Sequence, residues 1–437
     1  MSWNDKSLTF ITVCIFTCIA LLGCTEKSGG EKGVSAESRG ETGSGQLLIV
    51  GGALRSDNAS VYRAFIDAIP SAYPDVAIVP AASGRPAYYA KQFAADLRRH
   101  GFEGDVTVLP IALVDDPSTE SVDESTWSQG GADTVLAEHL ASVGGIWFVG
   151  GDQTRITATL KPDGRDTPVL TAIRKQLSSG AVVGGTSAGA AIMSDTMIAA
   201  GDSLSALTLP VSSEYAGMES QEAGQLMLSH GLGFLPIGLV DQHFDRKARL
   251  GRLVRALGAR SNADERIGFG VDEDTALLAD LSLGEMKVLG AGNVVLVDGR
   301  EAVFSEEGER FTGAGIAVPV LSAGDRYFWR EQNFVIDGSA TLQKEAFSYD
   351  ARQGAGLAVP NGRLDHLLGF SLLDNRSTEE LRRYSFDDET GKGVLFRFRQ
   401  LEASRGYWRY GSGTKDQYSI VNVALDVEPV RVTLSRG

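Results

Sequence analysis

The 437-residue sequence predicts an α/β fold, in which a doubly wound, mostly parallel sheet carries a small β-rich domain at its C-terminal end. The first observation is that continuous apolar runs alternate with helical segments from residue 46 onward, which is typical of a parallel sheet covered on both faces. The second is that glycine clusters follow these runs, at the strand ends where the ligand crevice of such sheets lies. The third is that apolar residues alternate with period two in strands after about residue 328.

Five strands are expected in the first half of the chain, because five apolar runs each end at a turn signal. They are Gln46–Val50, Asp75–Pro80, Asp105–Pro110, Gly145–Val149 and Val182–Val183. The helices expected between and after them are Val61–Ile69, Tyr88–His100, Thr134–Ser142, Pro168–Ser178 and Ala188–Met193.

The second half predicts further strands and one basic amphipathic helix, at Ala248–Leu257. The strands are Leu239–Val240, Gly268–Val271, Thr275–Ala279, Glu285–Val297, Val394–Arg399 and Tyr418–Val427. The last two alternate apolar and polar residues, which predicts an antiparallel arrangement.

The N-terminal residues 1–23 predict an export signal rather than part of the fold. Leu8–Leu22 is apolar but shorter than the roughly 20 residues that span a membrane. It ends in Leu-Leu-Gly before Cys24, which resembles a bacterial lipobox; the resemblance implies cleavage before Cys24 and lipidation of that cysteine. By resemblance to sorted lipoproteins, Thr25 rather than Asp after the cysteine implies the outer membrane rather than the inner one. An uncleaved N-terminal anchor is the alternative.

Composition predicts a tether and two domains in the rest of the chain, and it argues against one class of partner. Residues 24–45 are rich in Gly, Ser, Glu and Lys and predict a flexible tether. Residues 46–327 are expected to form the first domain, and residues 328–437 a β-rich domain of unknown role. All three cysteines lie before residue 25, so no thiol chemistry is expected in the fold. The net charge of −15 argues against a nucleic-acid partner and suits an exported or extracellular protein.

The segment Val182–Ser194 predicts a nucleophile turn. An apolar strand is followed by the pattern Gly185-x-Ser187-x-Gly189 and then by a helix of small residues. This pattern is typical of a sharp strand-to-helix turn that presents a hydroxyl at the tip of a sheet. The alternative is a glycine-rich turn with a buried serine.

A serine nucleophile needs a base and an acid that orients the base. Among the five histidines, His243 follows an apolar strand at the expected crevice. Asp272 and Glu273 both follow the next strand, and the sequence leaves open which of them would hold the imidazole.

An oxyanion intermediate also needs N–H donors. The backbone N–H of Ala188, directly after the serine, is the first candidate, and the turn Gly150-Gly151-Asp152 offers Gly151 and Asp152. Neither a cluster with metal-ligand spacing nor a nucleotide-binding glycine motif is found, so no metal and no cofactor are expected.

Five motifs, taken in order along the chain, resemble the cyanophycinase family, whose relatives include aspartyl dipeptidases. They are FVGGDQ (148–153), GGTSAGA (184–190), DQHF (241–244) followed by Arg249, Gly251, Arg252 and Leu253, GFGVDEDTAL (268–277), and LSAGDRY (321–327). The resemblance spans about residues 46–327 and implies a fold similar to class I glutamine amidotransferases. Amidotransferase activity is not expected, because those enzymes carry cysteine at the elbow.

The resemblance also implies roles for individual residues. It implies a triad of Ser187, His243 and Glu273. It further implies a substrate pocket lined by Gln153, Asp241, Gln242, Arg249 and Arg252. Lys247 stands where the family usually has an arginine, which puts the identity of the substrate in question. The alternative for residues 246–255 is a solvated basic helix face.

The implied reaction is hydrolysis of cyanophycin, the arginyl-aspartate polymer, to β-aspartyl-arginine dipeptides by way of an acyl-enzyme on Ser187. One alternative is a related serine peptidase that acts on other aspartyl peptides. Another is a surface lipoprotein that only binds peptides. The expected partners are a peptide substrate and, through the lipid on Cys24 alone, a membrane; a homodimer is implied only by the resemblance.

Overall fold

The computed structural model describes residues 44–119, 121–308, 310–354, 363–411, 416–433 and 435. The expected export signal, Cys24 and all but the last two residues of the expected tether lie outside these ranges.

A parallel set of strands forms one side of the first sheet, including one of its edges. Its strands are β1 (Gln46–Val50), β2 (Asp75–Val79), β3 (Val106–Val108), β4 (Val143–Phe148) and β5 (Val182–Thr186). The helices are α1 (Ala59–Asp67), α2 (Pro86–Arg99), α3 (Thr134–His139), α4 (Gln153–Leu160), α5 (Pro168–Ser178) and α6 (Ala188–Ala191). Parallel pairing in the order β1-β5-β4-β2-β3 confirms the predicted parallel core.

Both faces of this sheet are buried, as the continuous apolar runs predict. Along β1, Leu47 and Ile49 pack into one apolar cluster, while Leu48 and Val50 pack into another on the opposite face. Helix α4 was not expected from the sequence. It begins after Asp152, whose side chain accepts a hydrogen bond from the Thr154 N–H and caps the helix.

The remaining secondary structure is mostly antiparallel. The helices are α7 (Ser203–Thr208) and α8 (Leu250–Gly258), and a π-helical turn covers His366–Leu373. The strands are β6 (Thr196–Ala200), β7 (Met227–His230), β8 (Leu239–Asp241), β9 (Ile267–Val271), β10 (Thr275–Asp280), β11 (Glu285–Gly290), β12 (Asn293–Asp298), β13 (Val303–Glu307), β14 (Arg310–Ala317), β15 (Val320–Ser322), β16 (Arg326–Phe328), β17 (Asn333–Val335), β18 (Ser339–Ala340), β19 (Glu380–Phe386), β20 (Lys392–Arg399), β21 (Arg405–Tyr410), β22 (Asp416–Val421) and β23 (Ala424–Arg431).

The single strand expected over residues 285–297 is two strands in two sheets. β11 joins the first sheet through β10, which itself pairs antiparallel with β1, whereas β12 pairs with β9 and β15 in the second sheet. The chain turns between them at Gly290, which has a φ of +100° that favours glycine. Apolar residues stand on both sides of this turn, so the sequence pattern does not reveal the change of sheet.

Strands from both sides of residue 328 share the second sheet. β22 pairs with β15 at Val320 and Ile420, and β23 pairs with β14, where Ile316 lies opposite Leu425. These residues belong to one apolar cluster, which also contains residues of α8. The C-terminal region is β-rich, as predicted, and it is built onto the sheet edges that β14 and β15 leave open.

Loops from both sheets meet at one edge of the first sheet. β1, β4 and β5 end there, and the chain continues from them into residues 51–52, 150–151 and 187. β8 and β9 run parallel to each other in the second sheet, and their following loops reach the same edge. The N–H of His243, in the loop after β8, donates to the Gly51 carbonyl at 2.6 Å. In the part of the chain that the structure describes, no helix is long and apolar enough to cross a membrane.

Candidate active site

Ser187 lies in a sharp turn between β5 and α6. Its φ of 55° and ψ of −111° are unusual for a residue with a side chain. Small residues permit the turn: a Cβ on Gly185 would lie 2.5 Å from the Gly189 carbonyl oxygen, and a Cβ on Gly150 would lie 3.2 Å from the Ser187 Cβ. The Ser187 N–H donates to the Val50 carbonyl at 3.0 Å, which ties the turn to β1.

His243 links Ser187 to Glu273. Its Nε2 lies 3.0 Å from the Ser187 Oγ, and its Nδ1 lies 2.6 Å from the Glu273 Oε1. The carboxylate can only accept a hydrogen bond, so Nδ1 carries the proton and donates to it. Nε2 is then the acceptor for the Ser187 hydroxyl, which is the arrangement that a general base requires.

The structure distinguishes the two acids that the sequence leaves open. Glu273 is the one in contact with His243, and its backbone N–H is held by Asp245 Oδ1 at 3.2 Å. Asp272 points elsewhere: its Oδ2 accepts the Asn293 N–H at 2.9 Å. Burial raises the pKa of the Asp272 carboxyl well above its usual range. Asp272 is therefore not the orienting acid in this geometry.

His243 is held in its neutral form. Burial, together with the positive charge of Lys247, lowers its pKa to about 4, although the hydrogen bond to Glu273 acts in the opposite direction. A neutral imidazole at pH 7 can take up the serine proton.

The expected N–H donors for an oxyanion fall into two groups. The Asp152 N–H donates to the Ala82 carbonyl at 2.9 Å, so it is already engaged and does not fit the expected role. Its carboxylate accepts hydrogen bonds from Tyr215 and Gln221. Among the described residues, no acceptor is hydrogen-bonded to the N–H of Gly151 or Ala188, and these two stay predictions.

The acidic and basic residues expected in the substrate pocket form a buried cluster instead. Arg252 binds both carboxylate oxygens of Asp241, at 2.8 and 2.6 Å. Arg249 donates to the Gln242 carbonyl at 2.7 Å and to the Gln221 carbonyl at 3.2 Å. The two arginines and Asp241 are at most 2% exposed. They support the loop that carries His243 and do not form a solvated helix face.

The remaining expected pocket residues are placed differently from one another. Gln153 is buried, and its Nε2 donates to two carbonyls of β6, at 3.2 and 3.0 Å. The Oε1 atoms of Gln153 and Gln242 are buried and have no hydrogen-bond partner in the described part of the chain. Lys247 forms an ion pair with Glu222 and lines a different cavity, next to Tyr384 and Phe386 of the C-terminal region.

Ser187 and His243 open into a cleft of about 450 Å³. The cleft is also lined by residues that the sequence does not single out, because most of them sit in helices with ordinary amphipathic patterns or in a buried strand. These are Tyr62 of α1, Tyr89, Gln92, Phe93 and Asp96 of α2, Trp147 of β4, and Met218. None of Gln153, Asp241, Gln242, Arg249 and Arg252 lines this cleft.

Comparison with known proteins assigns the family. The family model described as Peptidase family S51 matches residues 47–282. The chain belongs to peptidase family S51. Cyanophycinase from Trichormus variabilis is 30% identical over 288 residues, which cover 64% of this chain and 84% of that protein. Cyanophycinase from Synechococcus elongatus is 31% identical over 258 residues, which cover 58% and 69%.

The chain is therefore a serine-type peptidase, a hydrolase similar to cyanophycinases. A solved peptidase from an acI-B1 actinobacterium aligns over 57% of this chain and 89% of its own length, at 19% identity and a TM-score of 0.41. In the part of the S51 chain that the structure describes, no group of three or more His, Cys, Asp or Glu residues could hold a metal ion.

Gly52→Ala should lower the kcat/KM of the S51 peptidase for an aspartyl peptide by about 100-fold, because small displacements of a catalytic group are costly. A Cβ at this position would lie 2.3 Å from the His243 Cε1 and would push the ring away from Ser187.

Gly101→Ala is the matched control for this variant. Gly101 has a φ of +94°, close to the +109° of Gly52, but a Cβ there meets nothing within 4 Å. Both variants carry similar backbone strain, so equal activities would contradict the role given to the ring position.

Lys247→Gln should move the acid limb of the kcat/KM profile to higher pH. The charge of Lys247 is one cause of the low pKa of His243. Without it the imidazole protonates at a higher pH, so activity is lost sooner as the pH falls. Initial rates from about pH 3 to 8 measure the limb. Lys175→Gln, on the exposed side of α5, is the control and should leave the limb in place. If the acid limb of Lys247→Gln stays at the wild-type pH or moves to lower pH, the charge of Lys247 does not lower the pKa of His243.

Proposed function

We propose that this S51 peptidase hydrolyses cyanophycin to β-aspartyl-arginine dipeptides through an acyl-enzyme on Ser187. The observation that carries the proposal is the hydrogen-bonded series Ser187–His243–Glu273, which lies at the end of the cleft. The choice of cyanophycin as the substrate follows from the similarity to cyanophycinases.

The chemistry proceeds in two steps in this proposal. His243 Nε2 takes the Ser187 proton while Oγ attacks the carbonyl carbon of an aspartyl unit. Glu273 stabilises the imidazolium through Nδ1. The N–H groups of Ala188 and Gly151 serve the oxyanion. The amine of the next unit leaves with the proton from His243, and a water molecule then hydrolyses the ester by the same base.

A related peptidase that cleaves other aspartyl peptides is the second candidate. It is favoured by the ion pair between Lys247 and Glu222, since a lysine held there does not offer the planar fork with which an arginine binds a carboxylate.

Ser187→Ala should abolish release of β-aspartyl-arginine from the polymer, lowering the rate by about 10⁴-fold or more, because the nucleophile and its base act as a unit. Mass analysis of the products after digestion measures this. Ser60→Ala, which removes an exposed hydroxyl of α1, should keep the wild-type rate.

Three results would separate the candidates. Cleavage of aspartyl dipeptides without cleavage of the polymer would favour the second candidate. Binding of peptides without turnover by the wild-type protein would favour a surface protein that only binds them. Unchanged turnover in Ser187→Ala would remove the assigned nucleophile.

We also propose that the mature protein is anchored to the cell envelope, at the outer membrane, by a lipid on Cys24. The support is the lipobox-like Leu-Leu-Gly-Cys24 sequence. Cys24→Ser should move the protein from the detergent-extracted membrane fraction to the soluble fraction. Retention of this variant in the membrane fraction, at the wild-type level, would contradict lipid anchoring.

A further inference from the structure

The cleft that holds Ser187 extends to a region formed by α1, α2 and β4. This region, called here the aromatic end, consists of Tyr62, Tyr89, Gln92, Phe93, Asp96 and Trp147. The Phe93 and Trp147 rings stack with centroids 4.1 Å apart and build a rigid wall. The Tyr89 side chain is 47% exposed and so remains accessible to a ligand.

Asp96 places a buried carboxylate in this region. It is only 4% exposed. Its Oδ2 accepts hydrogen bonds from the Ser56 hydroxyl at 2.9 Å and the Tyr62 hydroxyl at 3.2 Å. Burial and the charge of Asp96 raise the pKa of Tyr62, so this phenol stays protonated and continues to donate. The two hydroxyls hold the carboxylate in a fixed orientation.

The other carboxylate oxygen of Asp96 has only a weak partner. Arg99 Nη1 lies 3.5 Å from Oδ1, and the Arg99 side chain is 60% exposed. Because the arginine of this pair is largely solvated and 3.5 Å away, its contact with Oδ1 is weak and can be exchanged for another cation. A buried carboxylate is stabilised by a cation that hydrogen-bonds to it in a site from which water is excluded.

The described residues that line the cleft carry negative charge and no permanent positive charge. Among the described residues that line it, Asp96 is the only carboxylate, and there is no lysine or arginine. His243, which also lines the cleft, is neutral at pH 7 because its pKa is about 4. The region around Asp96 therefore favours a positively charged ligand group.

We propose that the aromatic end binds the guanidinium of an arginyl group on the substrate, with Asp96 as its counter-charge and Tyr89 as a stacking surface. A guanidinium is planar, stacks on aromatic rings and donates in a fork to a carboxylate, so it matches both features. The inference rests on the proposed function, in which the substrate carries arginine on its aspartyl units. It makes Asp96 a specificity-determining residue.

Binding to the full chain carrying Ser187→Ala tests this without turnover. Two synthetic probes are compared by calorimetry: a short arginyl-aspartate segment and the same segment with citrulline, which is nearly isosteric and uncharged. The arginyl segment should bind about tenfold more tightly or better. Adding Asp96→Asn should reduce this preference to within about twofold, because the amide keeps the size of the side chain and removes its charge.

The control is Asp57→Asn, added to the same Ser187→Ala protein. It removes the same charge from a side chain that is 71% exposed and paired with Arg55. It should keep the preference for the arginyl segment. A second variant, Tyr89→Leu, should weaken binding of the arginyl segment more than that of the citrulline segment, and it addresses the site should Asp96→Asn fail to fold.

Each outcome bears on the proposal. Equal binding of the two segments, or a preference that survives Asp96→Asn in a folded protein, would overturn it. Failure of the wild-type protein to release β-aspartyl-arginine would count against the proposed function alone. In that case, an Asp96-dependent preference for arginine would still establish the aromatic end as a site for a basic side chain.

Discussion

The site depends on the position of one imidazole ring. His243 takes a φ of 47°, which is rare for a residue with a side chain, and its ring lies directly against the glycine at position 52. From there it reaches Ser187 in the first sheet and Glu273 in a loop of the second sheet. Because the two hydrogen bonds come from different sheets, the site exists only where the sheets meet.

The buried charged cluster explains how that ring is supported. Asp241 precedes the His243 loop and Arg252 follows it, and the bidentate pair between them holds the ends of the loop together inside the protein. Removal of either charge would leave the other buried and unpaired, which is strongly destabilising. In this structure, the arginines that the family resemblance assigns to substrate contribute to the shape of the loop, and the cleft itself is lined by aromatic residues and Asp96.

The predictions that matched the structure are those that depend on local backbone. The turn at Ser187 could be predicted because glycines at fixed spacing permit only a few conformations. The position of His243 followed from a strand that ends beside polar residues. The residue pattern could not decide between Asp272 and Glu273, and only the family resemblance named Glu273. Neighbouring residues in an extended segment face opposite ways, and the pattern does not say which way the imidazole lies.

The sequence by itself determined the parallel core, the turn that presents Ser187, and the residue types needed for a serine peptidase, because hydrophobic periodicity and glycine spacing act over a few residues. Only the tertiary structure decided that Glu273 is hydrogen-bonded to His243, that the Asp152 N–H donates to the Ala82 carbonyl, and that Asp96 of α2 lines the cleft. It also decided that strands after residue 328 complete the second sheet. These contacts join residues far apart in the chain, so their geometry is set by how the layers pack and not by any local pattern.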